Sequence, residues 1–198
     1  MLARFLSISL FSLLLFVSID TNAEIYPYIG ISVGVSAADE ECEDDAPYYD
    51  TQCEGNARGR KLFGGIRVHK YAAVEVSYMD MGELAKTVDM ARITAEPTGT
   101  NISIVGIYPV GDYQSDSFNL ELFGKLGLLR WDTMVINHAS GVSLDDAGTD
   151  PSYGIGVSAG GENLFFTLEF EVLNEINGQY SPGGSTLTYA SIGAMYRF

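Results

Sequence analysis

The chain has 198 residues and a formal net charge of −15, with 22 glycines, 12 tyrosines and 10 phenylalanines. This length is enough for one domain with one core. The acidity disfavours nucleic acid as a partner, because binding to phosphate needs basic patches. The glycine-rich, aromatic-rich composition indicates β structure with many turns.

The first predicted element is a secretory signal peptide at residues 1–23. Arg4 is followed by an apolar run from Phe5 to Val17, and small residues occupy the −3 and −1 positions before Glu24. A transmembrane anchor helix is the alternative, but the apolar run is short for a span of about 20 residues. We therefore assign residues 1–23 to a removed signal peptide and 24–198 to the exported domain.

The exported domain contains eight segments in which apolar and polar residues alternate, which is the period of a β-strand. In the first, Ile29, Ile31 and Val33 share one face, and Gly30 and Ser32 share the other. The eight predicted strands are 28–36, 61–68, 71–79, 101–109, 118–129, 153–160, 165–173 and 187–198.

The connections between the predicted strands alternate in length. Long loops are predicted at 37–59, 82–99 and 132–152, a medium one at 175–186, and short turns near 69–70, 109–115 and 160–163. Short turns at one end and long loops at the other predict an all-β, eight-stranded antiparallel up-and-down barrel.

The polar faces of the strands carry charges of both signs. In a soluble, lipocalin-like barrel these charges would face water. The opposite arrangement is favoured, because glycine, serine and paired charges suit the narrow lumen of an eight-stranded barrel, and the apolar faces then meet hydrocarbon. The predicted lumen charges are Arg67, Glu75, Glu121, Lys125, Glu169, Glu171 and Arg197.

These lumen charges could plug the barrel or line a small pore. Buried charges must be paired, and Arg67 and Glu75 would match across the hairpin if its turn centres on Tyr71. Lys125 and Glu121 lie four residues apart, which is two positions along one inward face. We therefore favour a plug over a pore.

Aromatic residues occur near the ends of the predicted strands. Such residues are typical of the two girdles at the membrane interfaces of a transmembrane barrel. The candidates are Tyr28, Tyr71, Tyr78, Tyr108, Trp131, Tyr153, Tyr196 and Phe198.

Five segments together resemble the OmpA-like, eight-stranded outer-membrane β-barrel family of Gram-negative bacteria. They are "FGGIRVHKYAAVEVSYMDMG" (63–82), "NISIVGIYPVG" (101–111), "FNLELFGKLGLLRWD" (118–132), "YGIGVSAGGENLFFTLEFE" (153–171) and "ASIGAMYRF" (190–198). The resemblance implies an integral outer-membrane protein with its termini and short turns in the periplasm. It also implies that the barrel-assembly machinery reads Phe198 as an assembly signal. No peptidoglycan-binding domain of the kind that the larger members carry is expected here, so a cell-wall role is not carried over.

The long first loop contains Cys42 and Cys53. A disulfide between them is expected in an exported chain; a two-cysteine metal site is the alternative, but no histidine lies nearby. The loop also holds eight carboxylates, which suggest either weak Ca²⁺ or Mg²⁺ binding or a solvated surface loop. They are Asp39, Glu40, Glu41, Glu43, Asp44, Asp45, Asp50 and Glu54.

His138 and Ser140 raise the question of an enzyme. Some outer-membrane barrels of this size remove acyl chains from lipid A with a histidine and a serine at this spacing, supported by a carboxylate. Here the pair falls in a predicted surface loop, so we predict no catalytic residue, no cofactor and no metal site.

The predicted function is that of a structural, surface-interacting protein of the outer membrane, with acidic outer loops and a charge-plugged lumen. The alternatives are a small solute channel and, least favoured, a lipid A deacylase. The expected partners are outer-membrane lipid and lipopolysaccharide, the assembly machinery, and a surface ligand for the loops.

Overall fold

The computed structural model describes residues 25–38, 52–54, 56–88, 91–110, 118–174 and 186–198. For residues 52–54, 86–88 and 91 it describes the backbone alone. The predicted signal peptide, Cys42 and the acidic residues 39–50 lie outside the described residues, as do the side chains of Cys53 and Glu54. The signal peptide, the disulfide and the loop cation site therefore stay predictions.

Ten strands make up the described part of the chain. They are β1 (Tyr26–Ala38), β2 (Gln52–Glu54), β3 (Asn56–His69), β4 (Ala72–Asp80), β5 (Leu84–Val88), β6 (Ala91–Pro109), β7 (Asn119–Asn137), β8 (Val142–Gly160), β9 (Leu164–Asn174) and β10 (Thr186–Arg197). Among the residues that the structure describes, no helix is long and apolar enough to cross a membrane.

Eight of these strands close into an antiparallel ring, which confirms the predicted barrel. The order is β1, β3, β4, β6, β7, β8, β9 and β10, and β10 pairs with β1 from Arg197↔Tyr28 to Leu187↔Ala38. The short strands β5 and β2 add to β6 beside the ring. Closure leaves the ring without a free edge, so the backbone groups can be paired within it.

The barrel has two ends, which we call the turn end and the far end. The turn end holds Tyr26, Phe198 and the tight turns at Lys70–Tyr71 and 161–163. There the backbone N–H of Phe198 donates to the Pro27 carbonyl oxygen at 3.0 Å. The far end is the opposite one and includes the β7–β8 turn at 138–141.

The predicted loop at 132–152 is wrong. Strands β7 and β8 continue as a paired hairpin from Thr133↔Asp146 to Asn137↔Val142. The turn closes because Gly141 has φ 69° and the Asn137 side chain accepts the Ala139 and Ser140 N–H groups. The predicted loop at 82–99 is likewise largely strand, in β5 and β6. The apolar alternation is interrupted there by polar residues such as Asp132, Asp145 and Asp146, whereas backbone pairing does not need an unbroken apolar face.

The two faces of the wall have the predicted orientation. Ile104 and Leu126 point outward and are 68% and 71% exposed, whereas Glu75 points inward and is 4% exposed. Large aliphatic side chains outside and carboxylates inside are the reverse of a soluble fold. This orientation fits a wall that faces hydrocarbon.

Two of the eight aromatic residues predicted for the girdles are wrongly placed. Tyr28 and Trp131 are buried inside the barrel, at 9% and 3% exposure. Both occupy strand positions whose side chains point inward, and this alternation decides their orientation even though both residues lie near a strand end. The outward six are Tyr71, Tyr78, Tyr108, Tyr153, Tyr196 and Phe198.

Candidate functional site: the charged interior

The alternation of side chains along each strand directs the interior charges into the barrel, and glycines on neighbouring strands leave space for them. Each inward carboxylate of β9 faces a glycine of β8, in the pairs Glu169↔Gly156 and Glu171↔Gly154. A Cβ added at Gly154 would lie only 2.9 Å from the Glu171 Cγ atom. In the same way Gly65 lies opposite Glu75, where an added Cβ would lie 2.4 Å from the Tyr28 hydroxyl.

The turn-end group consists of one carboxylate between two arginines. Arg67 Nη1 donates to Glu121 Oε1 at 2.7 Å, and Arg197 Nη2 donates to Glu121 Oε2 at 2.8 Å. Arg67 also donates from Nη2 to the Lys70 carbonyl oxygen at 2.5 Å. Arg197 lies over the Phe165 ring with its Cζ 3.9 Å from the centroid, a cation–π arrangement. This group carries one more positive than negative charge.

The central group is a chain of alternating charges deeper in the barrel. Lys125 Nζ lies 2.7 Å from Glu75 Oε1 and 2.5 Å from Glu169 Oε1, the latter without hydrogen-bond alignment. Lys61 Nζ donates to Glu169 Oε2 and, at 2.6 Å, to Glu171 Oε2. The Lys61 ammonium is fully enclosed, with a side-chain exposure of 0%.

Tyr28 completes the central group from β1. Its hydroxyl donates to Glu75 Oε2 at 3.0 Å, so both oxygens of this carboxylate have a partner. Counting Glu75, Glu169 and Glu171 against Lys61 and Lys125, the central group carries one net negative charge. It therefore balances the net positive charge of the turn-end group.

A cavity of about 40 Å³ lies between the two charged groups. Its lining includes Arg67 and Arg197 from one group and Glu75 and Lys125 from the other. A cavity needs about 10–15 Å³ of this kind of volume to hold one water molecule. The space between the two charged groups therefore has room for ordered water.

An apolar layer lies on the far-end side of the central group. Its members pack as one cluster, and each is at most 9% exposed. The Trp131 indole N–H in this layer donates to Asp150 Oδ2 at 2.6 Å. The layer consists of Ala57, Met79, Met81, Leu84, Leu129, Trp131, Leu173, Leu187 and Tyr189.

The sequence-based pairing of Arg67 with Glu75 is wrong. The β3–β4 register places Arg67 opposite Ala73 and Glu75 opposite Gly65, with an irregularity between Arg67 and His69. Both charges instead reach across the lumen, Arg67 to β7 at Glu121 and Glu75 to β7 at Lys125. Lys125 likewise does not pair with Glu121, which lies four residues earlier on the same strand, but with Glu75 and Glu169.

The sequence analysis did not identify two residues of the interior hydrogen-bond and ion-pair network, Lys61 and Tyr28. Lys61 has the inward parity of Arg67 on the same strand, and that parity was the signal that could have identified it. Tyr28 has the parity of Ser32 on β1, which argued for the interior as well. The seven predicted lumen charges all point inward, and Lys61 supplies the fourth cation.

His138 and Ser140 lie at the tip of the β7–β8 hairpin. The His138 Nε2 atom lies 3.1 Å from the Thr94 hydroxyl, and Ser140 Oγ accepts the Val142 N–H at 3.4 Å. Each side chain thus has a local partner in the turn region. Within the described ranges, no group of three or more histidine, cysteine or acidic side chains is arranged to hold a metal ion.

A closed antiparallel barrel with an aliphatic exterior and a charged interior is an integral outer-membrane β-barrel protein. The chain belongs to the family of OmpA-like transmembrane domains, which it matches over residues 22–198. It is a protein of the outer membrane of a Gram-negative bacterium. No curated protein sequence matches the chain.

Solved structures of low sequence identity share the fold. Ail, the attachment invasion locus protein of Yersinia pestis, is 17% identical with a TM-score of 0.56, and the match covers 88% of this chain and 99% of Ail. Neisserial surface protein A is 15% identical with a TM-score of 0.50, over 88% of this chain and 97% of that one. OprG of Pseudomonas aeruginosa is 12% identical with a TM-score of 0.50, over 89% and 96%.

Proposed function

We propose that this chain is a non-conducting structural barrel that presents its far end for surface interactions. The observation that carries the proposal is the stack of two ion-pair groups and one apolar layer inside the wall. A solute would have to separate Lys61 from Glu169 and Glu171 and then displace the apolar layer. Removing one partner of a buried ion pair costs about 3–5 kcal/mol, so thermal opening of this stack is rare.

Planar-bilayer conductance tests the sealed lumen. The refolded barrel is expected to give no discrete current steps in 1 M KCl. A variant that removes the central charges together, Lys61→Ser with Glu169→Ser and Glu171→Ser, is expected to raise the frequency of steps if it also runs as a folded, heat-modifiable band. Regular steps from the unaltered protein would contradict the proposal.

A small channel is the second candidate, and a specific observation favours it. The hydroxyl groups of Ser32, Tyr189 and Ser191 are buried beside the central group; Ser32 and Tyr189 approach each other, and Ser191 has no hydrogen-bond partner among the described residues. Buried polar groups of this kind are commonly satisfied by water, and bound waters could begin a path. Conductance that falls when Ser32 and Ser191 are changed to valine would favour this candidate.

The surface-interaction role rests on the far end of the barrel. The β7–β8 hairpin continues beyond the apolar part of the wall and carries Asp132, Asp145 and Asp146, so an acidic, paired surface projects there. Ail is an attachment invasion locus protein; attachment is a proposal for this chain. Shortening the hairpin between Asp132 and Ala147 is expected to reduce adhesion of cells that carry the barrel, without loss of its folded gel band. Unchanged adhesion would contradict the role.

An enzymatic role is not proposed. The His138 ring is held beside Thr94 and Ser140 belongs to the turn, so neither is arranged as an activated nucleophile and base. We expect no acyl release from lipopolysaccharide by the refolded protein. Release that disappears in Ser140→Ala would reverse this conclusion.

A further inference from the structure

The outer wall of the barrel has a groove that runs over β10. Two adjoining shallow depressions, open to the surroundings, share the residues Val33, Leu168 and Ile192. The outward row of β10 causes them, because the small residues Ala190 and Ala194 alternate with Ile192. Each small residue lies between larger neighbours, in the pairings Val35↔Ala190↔Phe170 and Ile31↔Ala194↔Phe166.

The far-end depression also has basic side chains. Arg58 and Arg60 line it, as the next outward residues of β3 after the apolar Leu62. Arg60 is 80% exposed and gives one edge of its guanidinium to Asp80, with Nε and Nη2 each 2.9 Å from Oδ2. Arg58 is exposed and forms no ion pair with any residue that the structure describes. The groove thus joins an apolar floor to an available positive charge.

We propose that this groove binds one phosphorylated acyl lipid of the lipid A type, with its phosphate at Arg58 and acyl chains in the two depressions. Family membership implies that the termini face the periplasm, so the far end and its arginines lie at the level of the outer leaflet. Arginine binds phosphate through paired hydrogen bonds. The two depressions follow one another along β10 on either side of Ile192, with the arginines beside the far-end one, so acyl chains that extend from a phosphate at Arg58 meet apolar wall in both.

Arg130, another exposed arginine of the described wall, lacks the combination of charge and apolar depression that Arg58 has. Arg130 is also exposed and also follows an apolar outward residue, Leu128, on β7, yet it lines neither depression. A purely electrostatic attraction of lipid to the wall would use Arg130 as readily as Arg58. A built site would use Arg58 alone, so the two arginines form a matched pair for an experiment.

Native mass spectrometry of the refolded barrel, released from detergent after incubation with lipid A, tests the proposal. The unaltered protein is expected to retain one lipid A molecule, and Arg58→Gln to lower its occupancy about tenfold, the loss of a charge-assisted hydrogen bond. Arg130→Gln is expected to retain the lipid. Equal loss in both variants would mean surface electrostatics only and would overturn the site.

A second, independent test fills the groove with a larger side chain. Ala190→Leu is expected to lower lipid occupancy, whereas Gly106→Leu, on the open outer face of β6, is not. Lipid A without its phosphates and phosphatidylglycerol are both expected to bind at least fivefold less. Equal retention of either lipid, or a protein dimer that Ala190→Leu abolishes, would show a different occupant. Each variant is compared only as the folded, heat-modifiable species.

Discussion

Lys61 of β3 and Glu171 of β9 lie 110 positions apart in the chain and meet inside the barrel, with Nζ 2.6 Å from Oε2. Neither side chain has more than 3% exposure, so water does not screen the contact. The same ammonium also binds Glu169. One lysine therefore compensates two carboxylates of a single strand, and this arrangement joins opposite parts of the wall.

Removal of that lysine is expected to destabilise the barrel severely. Lys61→Met leaves Glu169 and Glu171 with one ammonium, Lys125, and should lower the free energy of unfolding by about 3–5 kcal/mol. Urea titration in lipid vesicles, followed by fluorescence of the single tryptophan, Trp131, measures this. The control is Arg92→Gln, which breaks an exposed pair with Glu83 (55% and 47% side-chain exposure) and should cost less than about 1 kcal/mol. Similar losses in both variants would contradict the buried role of Lys61.

Replacing a glycine opposite a lumen carboxylate with alanine is expected to lower the free energy of unfolding. In Gly154→Ala the new methyl group would lie 2.9 Å from the Glu171 Cγ atom and 3.2 Å from the Phe170 carbonyl oxygen, and we expect a loss of about 1–3 kcal/mol. Gly106→Ala is the matched control, because its methyl group would meet only the Gly124 carbonyl oxygen, at 3.9 Å. The same urea titration compares them. A Gly154→Ala barrel as stable as the Gly106→Ala barrel would show that the lumen relaxes freely.

The inward position of Tyr28 has a direct test. Tyr28→Phe deprives Glu75 Oε2 of its hydroxyl donor, and the free energy of unfolding should fall by about 1–3 kcal/mol. Tyr108→Phe removes a hydroxyl from a ring that is 67% exposed on the outer wall and should change stability by less than about 0.5 kcal/mol. The opposite ranking of the two variants would place Tyr28 in the girdle after all.

The role of Phe198 as an assembly signal stays a prediction. Comparing folding in detergent with assembly in cells can distinguish this role from a contribution to packing. Phe198 is 64% exposed, and its ring packs edge-on against Tyr196, with ring centroids 5.1 Å apart. Phe198→Ala is therefore expected to refold normally in detergent but to accumulate at reduced levels in the outer membrane of cells. Phe166→Ala, at the same exposure, should behave alike in both settings. A refolding defect of Phe198→Ala in detergent would assign the residue a packing role instead.

Much of the barrel could be predicted from alternation alone, and the failures have identifiable causes. The outward apolar rows around Ile31, Ile104 and Leu126 were recognisable because hydrocarbon contact demands an unbroken period of two. The far-end extension of β7 and β8 was missed because strands outside the membrane need no apolar face. The pairing of Arg67 was misjudged because the turn centres between Lys70 and Tyr71, and an irregularity before His69 moves the β3–β4 register by one further residue.

By itself, the sequence determined for most strand residues whether the side chain faces lipid or the lumen, because successive residues of a strand point to opposite sides. It also determined the sign and number of most enclosed charges. Only the tertiary structure decided which charges meet, since Lys61 with Glu171 and Lys125 with Glu75 are contacts across the lumen between strands that do not neighbour each other. Those contacts depend on the stagger and closure of all eight strands, a property of the ring that no single segment encodes.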